Sequence, residues 1–160
     1  MDITYDFNKN KRFNYRVAAI ITQDHHVLLQ SMSNIDFWLL PGGRCKHGED
    51  SRSATARELH EELGIDFSEL KLTFIVENFF KYAEKDFHEM SHIYRQEIPI
   101  SSCFADTTRE YEMKEIDGTP MIFKWVPRSK ISSLNLLPSF LKEELLKPHT
   151  EFKHIVHYDQ

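Results

Sequence analysis

The sequence predicts an α/β sandwich, with helices packed on a sheet of mixed strands. Three observations support this. Apolar segments of strand length, rich in β-branched and aromatic residues, recur along the whole chain. Helical patterns fall between those segments and do not form a block of their own. The chain has 160 residues, 41% hydrophobic and 12% aromatic, enough for a core and too apolar for disorder.

The first element is a hairpin over residues 15–30. Val17, Ala19 and Ile21 lead to a polar tip, Gln23-Asp24-His25-His26, and Val27-Leu28-Leu29 return. A second apolar burst, Phe37-Trp38-Leu39-Leu40, stops at Pro41-Gly42-Gly43, a strong turn signal. Residues 50–63 read as a helix. Asp50 or Ser51 can accept backbone N–H bonds at its start, and Gly64 tolerates the left-handed conformation just past its end. Residues 70–82 and 88–100 read as two long strands, and 121–126 as another, with Asp117-Gly118 as the hairpin turn before it. Residues 138–146 read as a second helix, since proline is tolerated in a first helical turn, and 152–158 as a terminal strand.

No repeat or linker divides the chain, so residues 1–160 are expected to form one domain. No apolar run is longer than the one from Val17 to Ile21, far short of the roughly 20 residues of a membrane-spanning helix, and no membrane partner is expected. The polar first residues lack an apolar signal core, and two cysteines, Cys45 and Cys103, suit a reducing compartment. Both point to the cytoplasm. A net charge of −5 disfavours duplex nucleic acid as a partner, although metal ions can bridge an acidic site to an anionic substrate.

The informative stretch is residues 43–65, GRCKHGEDSRSATARELHEELGI. At about 100° per residue, Glu58, Glu61 and Glu62 share one side of the helix, while Ala56, Leu59 and Leu63 face the core. Like charges at these spacings repel, and a helix needing only solubility would more often mix lysines among them. Glu49 precedes the helix on a loop whose Gly42, Gly43 and Gly48 permit tight turns. Four carboxylates so grouped offer oxygen ligands to hard cations such as Mg²⁺ or Mn²⁺. Such ions can hold phosphate oxygens and lower the pKa of an attacking water. Taken alone, Glu-x-x-Glu-Glu also describes a solvated helix surface.

The whole stretch is more specific. It matches the Nudix box G-x5-E-x7-R-E-U-x-E-E-x-G-U, where U is a bulky aliphatic residue, at every specified position. The matches are Gly43, Glu49, Arg57, Glu58, Leu59, Glu61, Glu62, Gly64 and Ile65. The chain therefore resembles a Nudix hydrolase. The resemblance implies a Nudix-type α/β/α sandwich with a mixed central sheet. It also implies metal-dependent hydrolysis of a nucleoside diphosphate linked to another group X, by water attack at phosphorus. A nucleotide is then the substrate and Mg²⁺ or Mn²⁺ the cofactor, and a homodimer is an admissible assembly. Carried over to this chain, Glu58 and Glu62 are metal ligands, Glu61 a further ligand or base, and the carbonyl of Gly42 an additional ligand. Arg57 orients the acidic cluster through a salt bridge, with Glu49 as partner. A base can come from a later loop, where Glu110, Glu112 and Glu115 are expected to lie; Glu115 is the candidate. Phe80 and Tyr82 are candidates to stack on a nucleobase, although strand aromatics also serve as core.

A competing pattern is His88-Glu89-Met90-Ser91-His92, which satisfies the H-E-x-x-H of zinc peptidases. That chemistry needs both histidines on one helical face. The following Ile93-Tyr94 and Ile98-Pro99-Ile100 favour a strand, on which the two histidines stand about 13 Å apart at ~3.3 Å per residue, too far for one ion. His154 and His157 point to opposite faces of the terminal strand, and Cys45 has no histidine beside it in sequence to activate it. Other family signatures do not fix the substrate. Residues 28–32 lack the arginine motif of coenzyme A pyrophosphatases, Lys81 stands where ADP-ribose pyrophosphatases carry proline, and Tyr82 only weakly resembles diadenosine polyphosphate hydrolases. A nucleotide-sensing module without turnover is the alternative from a different class, and such modules often lose box glutamates that are all present here.

Overall fold

The computed structural model describes residues 1–148 and 151–159. Nine strands form one mixed sheet: β1 (Thr4–Asn8), β2 (Lys11–Gln23), β3 (His26–Met32), β4 (Gly42–Arg44), β5 (Lys71–Tyr82), β6 (Lys85–Glu97), β7 (Glu110–Lys114), β8 (Pro120–Pro127) and β9 (Lys153–Asp159). The main order is β7-β8-β3-β2-β6-β5-β9, with β1 and β4 also paired to β2. The β2–β6 and β5–β9 pairs are parallel and the others antiparallel. Helix α1 (Ser51–Leu63) covers one face, where Leu59 and Leu63 pack with Ala19, Ile21, Tyr94 and Trp125. A 3₁₀ turn (Arg128–Ser133) and the short α2 (Leu141–Glu144) cover the other, where Ile131, Leu136 and Leu141 pack with Ala18, Ile20, Phe74 and Ile93. Alternation along β2 explains the division, since successive side chains enter opposite layers. This is the α/β sandwich that the pattern of elements predicts, with the α/β/α layering that the resemblance implies. Among the described residues no helix is long and apolar enough to cross a membrane.

The hairpin over 15–30 is real but opens at once. β2 and β3 pair only at Thr22–Val27 and Gln23–His26, next to the turn at Asp24, whose φ is 50°. Beyond that point the chain from Trp38 to Arg44 wedges between them. Leu39 exchanges backbone bonds with Gln30, the Ala19 N–H donates to the Pro41 carbonyl, and Arg44 pairs with Arg16. The burst Phe37-Trp38-Leu39-Leu40 is consequently no strand but a pair of isolated bridges, because its neighbours diverge around it.

Three other expectations need correction. The second helix, expected over 138–146, is reduced to Leu141–Glu144, because the preceding turn closes with i→i−3 bonds such as Leu141 N–H to Pro138 O and Lys142 N–H to Ser139 O. The strand expected over 88–100 starts at Lys85 and stops at Glu97, short of Pro99, which has no N–H to donate to a ladder. Glu110 and Glu112 do not lie in a loop but on β7, and Asp117-Gly118 turns the chain from β7 to β8.

Candidate active site

Helix α1 is set by its own ends. The Asp50 carboxylate accepts the Ser53 N–H at 3.0 Å, and Gly64 takes φ 67° while its N–H bonds the His60 carbonyl. With the apolar side docked on the sheet, the acidic side meets β4. Here two glycines are closely approached, Gly42 by fixed backbone and Gly43 by a side chain. A Cβ on Gly42 would lie 2.1 Å from the Val17 carbonyl oxygen, and one on Gly43 would lie 2.3 Å from the Glu58 carboxylate. Glu58 thus rests on bare backbone.

Arg57 gathers the cluster. Its Nε and Nη2 donate to the two oxygens of Glu49 at 2.7 and 3.0 Å, a bidentate pair, while Nη1 donates to Glu58 at 2.8 Å and Glu61 at 3.2 Å. Nη2 also reaches the Arg44 carbonyl at 3.1 Å, tying the helix to β4. The Arg57 hydrogen bonds hold the Glu49 carboxyl below its ordinary range. The salt bridge expected between Arg57 and Glu49 is therefore present.

Glu62 is different. It is 9% exposed, and its Oε2 has no hydrogen-bond partner. Burial pushes its pKa up to about 8; the charges of Glu58 and Glu115 add to this, while Arg16 and the Gly42 backbone amide oppose it. Glu115, just past the end of β7 in the connection to β8, is raised too, by burial first and then by Asp117 and Glu58. The fold therefore brings Glu58, Glu62 and Glu115 near one another with Gly42 alongside, and it leaves one buried carboxylate oxygen with nothing to bind. Among the described residues no three His, Cys, Asp or Glu side chains form a ready cation cage, since Glu58 and Glu61 are both turned toward Arg57. The donor chemistry nevertheless fits a hard divalent cation: all the side-chain donors are oxygens, one of them is unpartnered, and charge there needs neutralising.

Phe80 and Tyr82 lie outside this cluster. Phe80 stacks on Phe87, with ring centroids 4.8 Å apart, and Tyr82 meets Phe37 edge-on at 6.0 Å. Arg16 belongs near the cluster, although the motif reading passed over it. It lines a small cavity, donates to the Leu40 carbonyl at 3.1 Å, and its charge acts on both Glu62 and Glu115. The available signal was a lone cation heading the apolar run Val17–Ile21. The zinc-peptidase pattern dissolves on β6. His88 packs against Phe79 and Phe13, His92 against Tyr15, and Glu89 points to the opposite face. Cys45 is buried, burial raises its pKa, and its thiol donates to the Glu49 carbonyl at 3.3 Å, a setting that disfavours the thiolate.

The sandwich and its carboxylate helix define an α/β domain whose acidic groups come chiefly from one helix. The NUDIX domain model matches residues 12–145, and the chain belongs to the Nudix hydrolases. As a family these enzymes act on nucleotides and use divalent metal ions. The chain is 32% identical over 77 residues to an RNA pyrophosphohydrolase of Ruthia magnifica subsp. Calyptogena magnifica, covering 48% of this chain and 43% of that one, less than half its length. It is 24% identical over 113 residues to a protein of Bacillus subtilis (strain 168) whose description proposes an 8-oxo-dGTP diphosphatase, covering 71% and 72%. Among solved structures, a MutT protein from Bacillus halodurans superposes with a TM-score of 0.63 at 16% identity over 91% of this chain and 89% of that one. At such identity the superposition bears on the fold.

Proposed function

We propose that this chain hydrolyses the diphosphate linkage of a nucleoside diphosphate joined to another group, with Mg²⁺ or Mn²⁺ bound at α1. One observation carries the reading: the Oε2 of Glu62 is buried and unpartnered on an arginine-held acidic helix, within reach of the charges of Glu58 and Glu115. Glu58 and Glu62 would hold the cation, with Glu61 and the Gly42 carbonyl as further ligands. When bound, the cation neutralises phosphate charge and lowers the pKa of the attacking water. Arg57 keeps the carboxylates in register through Glu49 and Glu58. Arg16 faces the substrate side, where its guanidinium would meet phosphate oxygens. Glu115 would take the proton of the attacking water as its oxygen bonds phosphorus and the bridging P–O bond breaks. The phosphate leaving group departs with the bridging oxygen. We place the enzyme in the cytoplasm as a single domain.

The test is hydrolysis of a panel of nucleoside triphosphates, dinucleotides and nucleotide sugars with each metal and with chelator, run in ¹⁸O water. Metal-dependent turnover with label in a phosphate product is expected. Turnover unaffected by chelation, or a first turnover without label, overturns the reading.

A further inference from the structure

Glu89, the centre of the H-E-x-x-H pattern, has no place in the chemistry above, yet the fold buries it to 7% exposure. It lies on the face of β6 that carries Ser91 and Ile93, in register with Asn14 of β2 on one side and Asn78 of β5 on the other. All three polar side chains are buried. The partners are poor. Asn14 Nδ2 stands 3.5 Å from one carboxylate oxygen, the Ser91 hydroxyl donates to the other at 3.2 Å, and the Asn78 carbonyl oxygen has no partner. A carboxylate offers about four acceptor positions and no donor, so Glu89 is built to receive more N–H or O–H groups than this chain gives it.

Glu89 lines the same cavity as Arg16, together with Ser91, Leu39, Leu40 and Pro138. The room there is about 20 Å³. One water or hydroxyl needs roughly 10–15 Å³ by that measure, so a hydroxyl fits and a nucleobase does not. Arg16 joins this cavity to the carboxylate cluster, since its charge acts on Glu62 and Glu115. Arg16 stands opposite Ser91 in the ladder, so Glu89 lies two residues along and one strand across, about 8 Å away at ~3.3 Å per residue and ~4.8 Å between strands. Both side chains line one cavity, so one nucleotide can meet Arg16 with a phosphate and Glu89 with its sugar. Carboxylates are established acceptors of ribose hydroxyls.

We infer that Glu89 accepts a hydrogen bond from a ribose hydroxyl of the substrate, so that the enzyme selects ribonucleotides over their deoxy counterparts whatever the base. The inference rests on the proposed nucleotide hydrolysis and names the part of the substrate that this cavity reads. A deoxy analogue would leave a buried acceptor unpaired, which is how a polar site rejects a substrate lacking one hydroxyl.

The experiment measures kcat/KM for the four ribonucleoside triphosphates and their 2′-deoxy and 3′-deoxy forms, on the wild-type chain, Glu89→Gln and Glu89→Asp. Calorimetric binding of the matching nucleoside monophosphates provides a readout that needs no turnover. At least ~10-fold loss with one of the two deoxy series, seen in both readouts and erased in Glu89→Gln, is expected. If Glu89→Gln does not fold, Glu89→Asp keeps the charge, withdraws it by one methylene, and should shrink the same ratio. Equal handling of ribo and deoxy forms by the wild-type chain overturns the inference and leaves the hydrolase reading standing, as does discrimination that survives both variants. Discrimination in monophosphate binding without turnover of any triphosphate would instead uphold the sugar site and count against hydrolysis of these substrates.

Discussion

Helix α1 and helix α2 sit on opposite faces of one sheet and are held by different kinds of information. Helix α1 runs thirteen residues, with its cap at Asp50 and its stop at Gly64 both written next to it in the chain. Helix α2 runs four residues and has no side-chain cap at its own N-terminus. Its approach is fixed from β9: the Ser139 N–H donates to Asp159 at 3.0 Å, the Ser139 hydroxyl also bonds Asp159, and His157 lies 3.0 Å from the same carboxylate. The difference shows which helix can carry charge. A helix whose geometry is set locally can afford an unpaired, buried Glu62, while one held by distant strands spends its polar contacts on staying in place.

The largest effect should come from the carboxylates of α1. Changing Glu62 to Gln keeps its shape but removes a carboxylate that can ligate a cation, and turnover should fall by at least ~100-fold, as should that of Glu58→Gln. Because Glu62 is buried with one carboxylate oxygen unpartnered, urea unfolding of Glu62→Gln should show stability held or raised. A variant that unfolds early while retaining turnover would reverse the assignment. Next comes the seat of the helix. Gly42→Ala forces a methyl against β2 backbone that no side-chain rotation can relieve, and should cost about 2–3 kcal/mol in the same measurement.

Smaller effects separate the two helices. Asp50→Ala removes the local cap of α1 and should cost about 1 kcal/mol. Asp159→Asn should cost less, and its signature lies in pH. Burial raises the Asp159 carboxyl, but bonds from Ser139 and His157 outweigh it and leave the group below its ordinary value of 3.8. Its contribution is therefore present above about pH 4 and lost as pH falls through the lowered value. Thermal melts from pH 5 down to pH 3 should show the wild-type chain losing more stability than Asp159→Asn. Parallel melting of the two would mean that α2 is not held through this carboxylate.

The same contrast explains what could be read from the sequence. Asp50, Gly64 and the spacing of Leu59 and Leu63 specify α1 within a few residues, and the box glutamates travel with it, so the acidic cluster was legible. The arginine pair of Glu49 was legible because both residues belong to one short motif. What was missed depends on pairing across the sheet. β1, β4 and β7 are short or polar and become strands only beside β2 or β8. Residues 37–40 have the composition of a strand, but their neighbours splay apart. Arg16 and Glu89 carry no local motif that marks them as neighbours, and only the parallel register of β2 and β6 sets them on one face.

That register also governs the order of assembly. Asn14 and Glu89 are 75 positions apart, and β2 contacts β1, β3, β4 and β6. Closing so long a loop is entropically costly and slow compared with forming a helix from neighbouring residues. The cap and stop of α1 lie next to it in the chain, while the β4 floor under Glu58 and the cavity lined by Arg16 and Glu89 exist only when distant strands pair. Completing the acidic motif in sequence therefore does not complete the site, which also needs strands brought together from far along the chain.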